Sequence, residues 1–357
     1  MIKKCLTIFT IIFAVGSLFM WYFCSKSENL YPINDQYGGG YINKFGKVVI
    51  EQNYHFTFPF VGNFAITQNN NLKYGIINKK GNVVIDATYD KLEKLSENYV
   101  IYKENGKYGF IDIKNNKKFK AKYDNIREFK EDLAAICING KWGFVNKNGK
   151  IVIFPQYYEV ANFSERLAAV SYSNHKTSAY INKNGKTVIS FDNNHLAPKE
   201  FHEGLAPVIK ENDESCSYID KKGNIIIDNS KIYPINIYCG NFSNGVTVFH
   251  IDNKQNEITT GYINKRGKIK YSQTFSLPKD ISKDEFSVFE DFKSDMAQYT
   301  IDYKTGYIDS SFKIKTSPIY EFAKDFNNDL AYVKYEEKEG YINKKGKFVW
   351  TKPRSGM

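Results

Sequence analysis

One phrase recurs nine times in this 357-residue chain, and that repetition limits the folds open to it more than any other feature. It reads GYINKFGKVVI from Gly40, YGIINKKGNVVI around Gly75, YGFIDIKNNKKF around Gly109 and WGFVNKNGKIVI around Gly143. It continues as AYINKNGKTVI from Ala179, SYIDKKGNIII from Ser217, GYINKRGKIKY from Gly261, GYIDSSFKIKT from Gly306 and GYINKKGKFVW from Gly340. Most copies lie 34 to 38 residues apart, and the two longer intervals, Ser217 to Gly261 and Gly261 to Gly306, carry insertions.

Each position in the phrase has a physical role. The third residue is always Ile or Val, which suits a pleated, half-buried surface. The second is usually aromatic and projects to the opposite face. The fourth is Asn or Asp in all nine copies, and Gly follows three residues later in seven. That spacing predicts a type I turn closed by a left-handed residue, the three-residue hairpin with a bulge. The third copy has Asn115 at the glycine position; the eighth has Phe312, and its turn is expected to be distorted. Between the hairpins runs a second phrase, FKEDLAAI at Phe129, FSERLAAV at Phe163 and FHEGLAPV at Phe201, with weaker versions at Phe242, Phe292 and Phe326. It reads as a turn into a third strand. No sustained 3.6-residue apolar period occurs after the first thirty residues, so the unit is three short strands and the chain is all-β.

The two phrases together, as in Lys141-Trp142-Gly143 with its tyrosine variants Lys73-Tyr74-Gly75 and Lys107-Tyr108-Gly109, resemble the bacterial WG-containing (KWG) repeat family over about residues 35–350. The resemblance implies a β-repeat scaffold, often on exported proteins, with no shared catalytic residue to carry over. Units that cannot bury their own faces must stack. Nine short copies of unequal length favour an open β-superhelix, or solenoid; the alternative is a closed β-propeller, whose blades usually have four strands and 40 or more residues.

The N-terminus carries an address. Lys3 and Lys4 precede an uncharged apolar run from Cys5 to Cys24, about the ~20 residues that cross a bilayer as a helix. Residues 1–30 are therefore expected to be a hydrophobic helix anchoring the chain in the membrane through residues 5–24. Residues 31–357 form the repeat domain, placed extracytoplasmically on the periplasmic or cell-surface side. The alternatives are secretion after signal cleavage and a lipid on Cys24; the bulky Trp21-Tyr22-Phe23 exit disfavours both.

Reactive chemistry is sparse. His55, His175, His195, His202 and His250 show no metal-ligand spacing, and no nucleophile elbow, phosphate-cradling loop or EF-hand pattern is present. No catalytic, cofactor-binding or metal-ligating residue is assigned, and the chain is read as a non-enzyme. Cys137 reads as a small core residue; Cys216 and Cys239, in neighbouring units, are a possible disulfide of an oxidising compartment. The single second-position aromatic reads as structural, not as a cage for a quaternary ammonium ligand.

Charge is the remaining signal. The net charge is +11, and the residue after the turn Asn or Asp is lysine in seven copies: Lys44, Lys79, Lys147, Lys183, Lys221, Lys265 and Lys344. Stacking aligns these turns into a basic rim, a candidate site for an anionic envelope polymer. Turn lysines also keep strand edges unpaired, which needs no ligand. The expected function is a membrane-anchored scaffold binding envelope polymers or another envelope protein. An envelope-glycan hydrolase or lyase and a purely structural role are the alternatives; nucleic acid is not an expected partner.

Overall fold

The computed structural model describes residues 29–173, 177–192, 196–210, 216–228, 239–253, 257–276 and 289–353. The apolar run Cys5 to Cys24, His175 and His195 lie outside them. Every described element is a β-strand, and all pairing is antiparallel between neighbours in sequence.

The strands form nine sheets. Blades 1 to 9 run Tyr31–Tyr54, Phe56–Tyr89, Leu92–Tyr123, Asn125–Tyr157, Glu159–Asp192, Leu196–Asp228, Val246–Ser276, Met296–Tyr320 and Phe322–Thr351. Among the described residues six contain four strands, not three. In blade 4 the expected hairpin is Lys141–Asn146 with Ile151–Tyr157, and Leu133–Ile138 pairs with its first arm. The additional strand, Asn125–Ile126, has two residues and pairs with Leu133–Ile138. Its brevity hides it from any periodicity, which needs at least four residues to register.

The turns follow their sequence. In eight copies the Asn or Asp side chain accepts the amides two and four residues on, at 3.0 and 3.1 Å for Asn43. The third copy differs: Asp112 binds the amide and side chain of Asn115, and Asn116, one residue later, takes the left-handed position at φ 48°. The eighth is not distorted. Phe312 takes φ 62° and its amide donates to the Asp309 carbonyl at 2.8 Å, as glycine does elsewhere. The ring explains why: it stacks on Tyr271 of blade 7 with centroids 5.6 Å apart. In blades 2 and 5 the equivalent Gly81 and Gly185 rest against Ile50 and Ile153 of the preceding blade.

Both repeated phrases meet at the seams between blades. The second-position aromatic of one blade packs on the phenylalanine of the next blade's second phrase, as in Phe144–Phe163, Tyr180–Phe201 and Tyr307–Phe326 at 4.8 Å. Where that aromatic is tyrosine, its hydroxyl donates to a main-chain carbonyl across the seam: Tyr41 to Phe58 at 2.8 Å, Tyr180 to Lys199 at 2.6 Å, Tyr262 to Glu290 at 2.8 Å. These rings are fully buried, so they are structural and present no cage.

The ring closes. Tyr31, Ile33 and Ile42 of blade 1 share a core with Leu330 and Tyr341 of blade 9. The Tyr341 hydroxyl donates to the Pro32 carbonyl at 2.7 Å, and the Asp329 amide donates to the Tyr31 hydroxyl at 3.2 Å. The architecture is a nine-bladed β-propeller, which corrects the expected open solenoid. The reason is the shape of each unit. In all six four-stranded blades the first strand, of two to five residues, is shorter than the outer strand, of four to seven, which makes them wedges, and wedges stacked by their faces bend into a ring.

Candidate functional site

In a four-stranded antiparallel blade the loop after the first strand and the turn after the third open on the same face. The first carries the polar centre of the second phrase; the second carries the rim lysine. The rim lysines are thereby brought to the carboxylates of that phrase. Lys183 of blade 5 reaches Glu131 of blade 4 at 3.3 Å, Lys221 of blade 6 reaches Glu165 of blade 5 at 2.7 Å, and Lys265 of blade 7 reaches Glu203 of blade 6 at 3.0 Å. The same three glutamates accept main-chain amides of the next blade, from Arg166 at 2.9 Å, Gly204 at 3.0 Å and Gly245 at 3.0 Å. Each glutamate is thus a bracket between blades. Burial pushes the Glu165 carboxyl up, but the Lys221 ammonium and the Gly204 amide outweigh it and hold it below its ordinary range.

The remaining rim lysines are committed in other ways. Lys147 pairs with Asp132 at 2.5 Å and holds that carboxyl down. Lys344 donates to the Ser294 carbonyl at 2.6 Å, and Lys44 lies 5.3 Å from the centre of the Phe45 ring. Burial lowers the pKa of Lys79. The rim exists as a set of aligned turns, but at least four of its seven ammonium groups are ion-paired. The signal was in the second phrase: the glutamates of FKEDL, FSERL and FHEGL recur once per repeat, as the lysines do.

Two further acids join blades nearer the first strands. Glu200 accepts the Asn162 amide at 3.2 Å, and Asp291 accepts the amides of Asn241 at 2.8 Å and Val248 at 3.4 Å. Burial pushes the Asp291 carboxyl up despite those bonds. Beside Glu200 lies a cavity of about 620 Å³, lined by the first and second strands of blades 5 and 6, by Ser178, by Arg127 of blade 4 and by Cys239 and Asn241. Arg127, Glu159, Lys199 and Glu200 line it. Ala161, which lines it, occupies the position that holds Arg127 in blade 4 and Lys199 in blade 6. Arg127 lies 4.8 Å over the Trp142 ring and donates to the Val160 carbonyl.

Cys216 and Cys239 form a disulfide with Cα atoms 6.2 Å apart, joining blade 6 to the approach of blade 7. Cys137 is free and buried. His202 lies 3.9 Å from Glu200, His250 is buried and His55 exposed. Among the described residues no three His, Cys, Asp or Glu side chains gather as a metal site, and no helix is long and apolar enough to cross a membrane.

A family model described as the WG containing repeat matches residues 40–72, 74–108, 108–142, 142–174, 179–212 and 306–338, more than half of the chain. The chain belongs to the WG containing repeat family. No curated protein matches the sequence. A solved structure of a eukaryotic initiation factor is similar in fold, with TM-score 0.60 at 9% identity over 91% of this chain and 98% of that one. The dihydro-heme d1 dehydrogenase NirN, at TM-score 0.47 and 10% identity over 83% and 75%, is more distant. So is a virginiamycin B lyase from Staphylococcus aureus, at 0.38 and 14% over 69% and 90%.

The structure explains the glycine of the WG repeat. Gly143 sits where the outer strand of blade 4 bulges, between the pairs Trp142–Tyr157 and Phe144–Ile153. A Cβ there would lie 2.4 Å from the Ile153 carbonyl oxygen. The WG repeat therefore uses glycine for close backbone approach, not for a ligand.

Sequence reading missed one further feature. The outer strand of blade 3, Lys117–Tyr123, reads KKFKAKY and exposes all four lysines. In the third hairpin only Asn115 at the glycine position stands out by the repeat pattern, and its lysine content was the available signal.

Proposed function

We propose that this propeller is a non-catalytic binding scaffold of the bacterial cell envelope, holding an envelope polymer or another envelope protein, with the chain tethered to the membrane through residues 5–24. The observation that carries the reading is the use made of the carboxylates. Glu131, Glu165, Glu203, Glu200 and Asp291 all bridge one blade to the next. A hydrolase needs acids free to exchange protons with a substrate; these are engaged in holding the ring. A rigid ring in a chain of net charge +11 is suited to presenting a fixed surface to anionic partners.

The test is co-sedimentation of the full chain with isolated envelope fractions across a salt series. Binding that weakens as salt rises supports an anionic polymer, salt-independent binding supports a protein partner, and no binding ends the scaffold reading. Protease accessibility in intact cells checks the extracytoplasmic placement.

One observation favours the enzyme alternative, an envelope-glycan hydrolase or lyase: Glu159 and Glu200 line the same cavity. Turnover of purified envelope glycan that disappears in both Glu159→Gln and Glu200→Gln would replace the scaffold reading.

A further inference from the structure

We propose that the outer strand of blade 3, Lys117–Tyr123, is a docking strip for a linear phosphate-bearing polymer; this rests on the scaffold reading and names its surface and ligand class. The strand lies at the free edge of its sheet. Lys117, Lys118, Lys120 and Lys122 are exposed along it, spanning roughly 17 Å at the ordinary strand rise.

The other eight blades supply the control. Their outer strands read VVIEQNY, VVIDATY, IVIFPQY, TVISFD, IIID, IKYSQTFS, IKTSPIY and FVWT. Six carry no lysine and two carry one, Lys270 and Lys315, the latter paired with Asp309 at 2.7 Å. Guarding an edge against stray pairing would ask the same of every blade. A general lysine bias in composition would also spread over all nine. Neither accounts for four lysines on one outer strand.

These ammonium groups differ from those of the rim. Lys118 pairs with Glu104 at 3.1 Å, but among the described residues Lys117, Lys120 and Lys122 have no ion pair. Lys117 lies 4.8 Å from the centre of the Phe119 ring and Lys122 5.4 Å from that of Tyr123, which steadies them without neutralising them. Lys114 and Lys103, exposed in the same blade, extend the field.

The charge of the strip selects an anionic ligand. It has no arginine, so it offers point charges and no planar fork; lysine binds phosphate as a point charge, and phosphate oxygens accept such a donor from many directions. Phe119 is half-buried and Tyr123 buried, so the strand presents no exposed ring to insert into a bilayer or to stack on a nucleobase. Alternation puts Lys118, Lys120 and Lys122 on one face, with Lys117 at the end of the strand beside Phe119, and a narrow file of this kind matches a chain, not a plane.

The experiment measures binding of the full-length protein to long-chain inorganic polyphosphate at several salt concentrations. A triple variant Lys117→Gln, Lys120→Gln, Lys122→Gln is compared with a rim triple Lys147→Gln, Lys183→Gln, Lys221→Gln, which removes the same charge. The strip triple is expected to lose at least about tenfold in affinity and to lower the log–log salt slope by about 2. The rim triple should change affinity less than about threefold. On the unmodified protein, polyphosphate should protect Lys117, Lys120 and Lys122 from acetylation while leaving Lys44 reactive. Equal loss in both triples, no loss in either, uniform acetylation, or equally tight binding to a carboxylate polymer or to anionic phospholipid vesicles would overturn the proposal. If the strip triple still sediments with envelope fractions as the unmodified chain does, the strip falls and the scaffold stands. If the unmodified chain does not sediment at all, the scaffold falls.

Discussion

The seam that closes the ring, between blades 9 and 1, is built differently from the seam between blades 5 and 6. The interior seam carries a charged bracket: Glu165 holds the Gly204 amide and the Lys221 ammonium, above the ring pair Tyr180–Phe201. The closing seam has no such bracket, because Asn328 stands where Glu165 stands in blade 5, and the facing Lys44 rests on its neighbour's ring. It relies on buried tyrosines, two hydrogen bonds involving their hydroxyls, and the turn of Gly46 lodged against Val349. Closure is thus a matter of shape, while the interior seam adds charge. The two should fail under different stresses.

Steric change should separate them most strongly. Gly46 has φ 81°, and a Cβ there would lie 1.9 Å from the Val349 carbonyl oxygen. Gly46→Ala should cost about 4 kcal/mol, combining left-handed strain with an overlap that must be relieved by parting blades 9 and 1. Gly185→Ala, at an interior turn where the Cβ would meet Ile153 at 3.5 Å, should cost only about 1–2 kcal/mol. Denaturant unfolding of both checks the contrast, and equal costs would mean that the closing seam is not the tighter of the two.

Acid should act on the interior side. Burial pushes the His250 pKa down to about 4 from the ordinary 6.5. The unfolded chain binds a proton that the folded ring refuses, so the contribution is complete above pH 6.5 and is lost as pH falls towards 4, by about 3 kcal/mol. Hydrogen exchange at pH 4.5 should show blade 7 losing protection before the strand Gly38–Ile42, and His250→Gln should flatten the pH dependence. Loss of the two together would erase the distinction.

Smaller effects sharpen it. Glu165→Gln removes a charged acceptor from one amide and one ammonium and should cost about 2 kcal/mol, less at high salt. Tyr341→Phe at the closing seam should cost about 1 kcal/mol with no salt dependence. Melting both variants at low and high salt reads the difference directly.

Much of the fold was legible because it is repeated. Asn43 and its equivalents announced the turns, and the branched third residues announced the strands. Closure was not legible, since nothing local in Asn125–Ile126 marks it as a strand and the wedge depends on that strand. Phe312 was misread for a related reason: its conformational strain is a property of one residue, while the stacking on Tyr271 that offsets it belongs to another blade. The rim was legible as lysines and illegible as ion pairs, because Lys183 and Glu131 stand 52 residues apart and meet only when blades 4 and 5 face each other. The cavity is lined from blades 4, 5 and 6 and by Cys239 and Asn241, residues up to 114 apart in sequence, and no local motif announces it.

Closure also changes what a repeat is worth in evolution. In an open stack a unit can be gained or lost at one end while the others keep their geometry. Here removal of one copy leaves a missing sector that every remaining seam must share, and insertion of one demands the reverse. The repeat number is therefore a property of the whole ring, and length variation is pushed into the connections, as in the long intervals before blades 7 and 8.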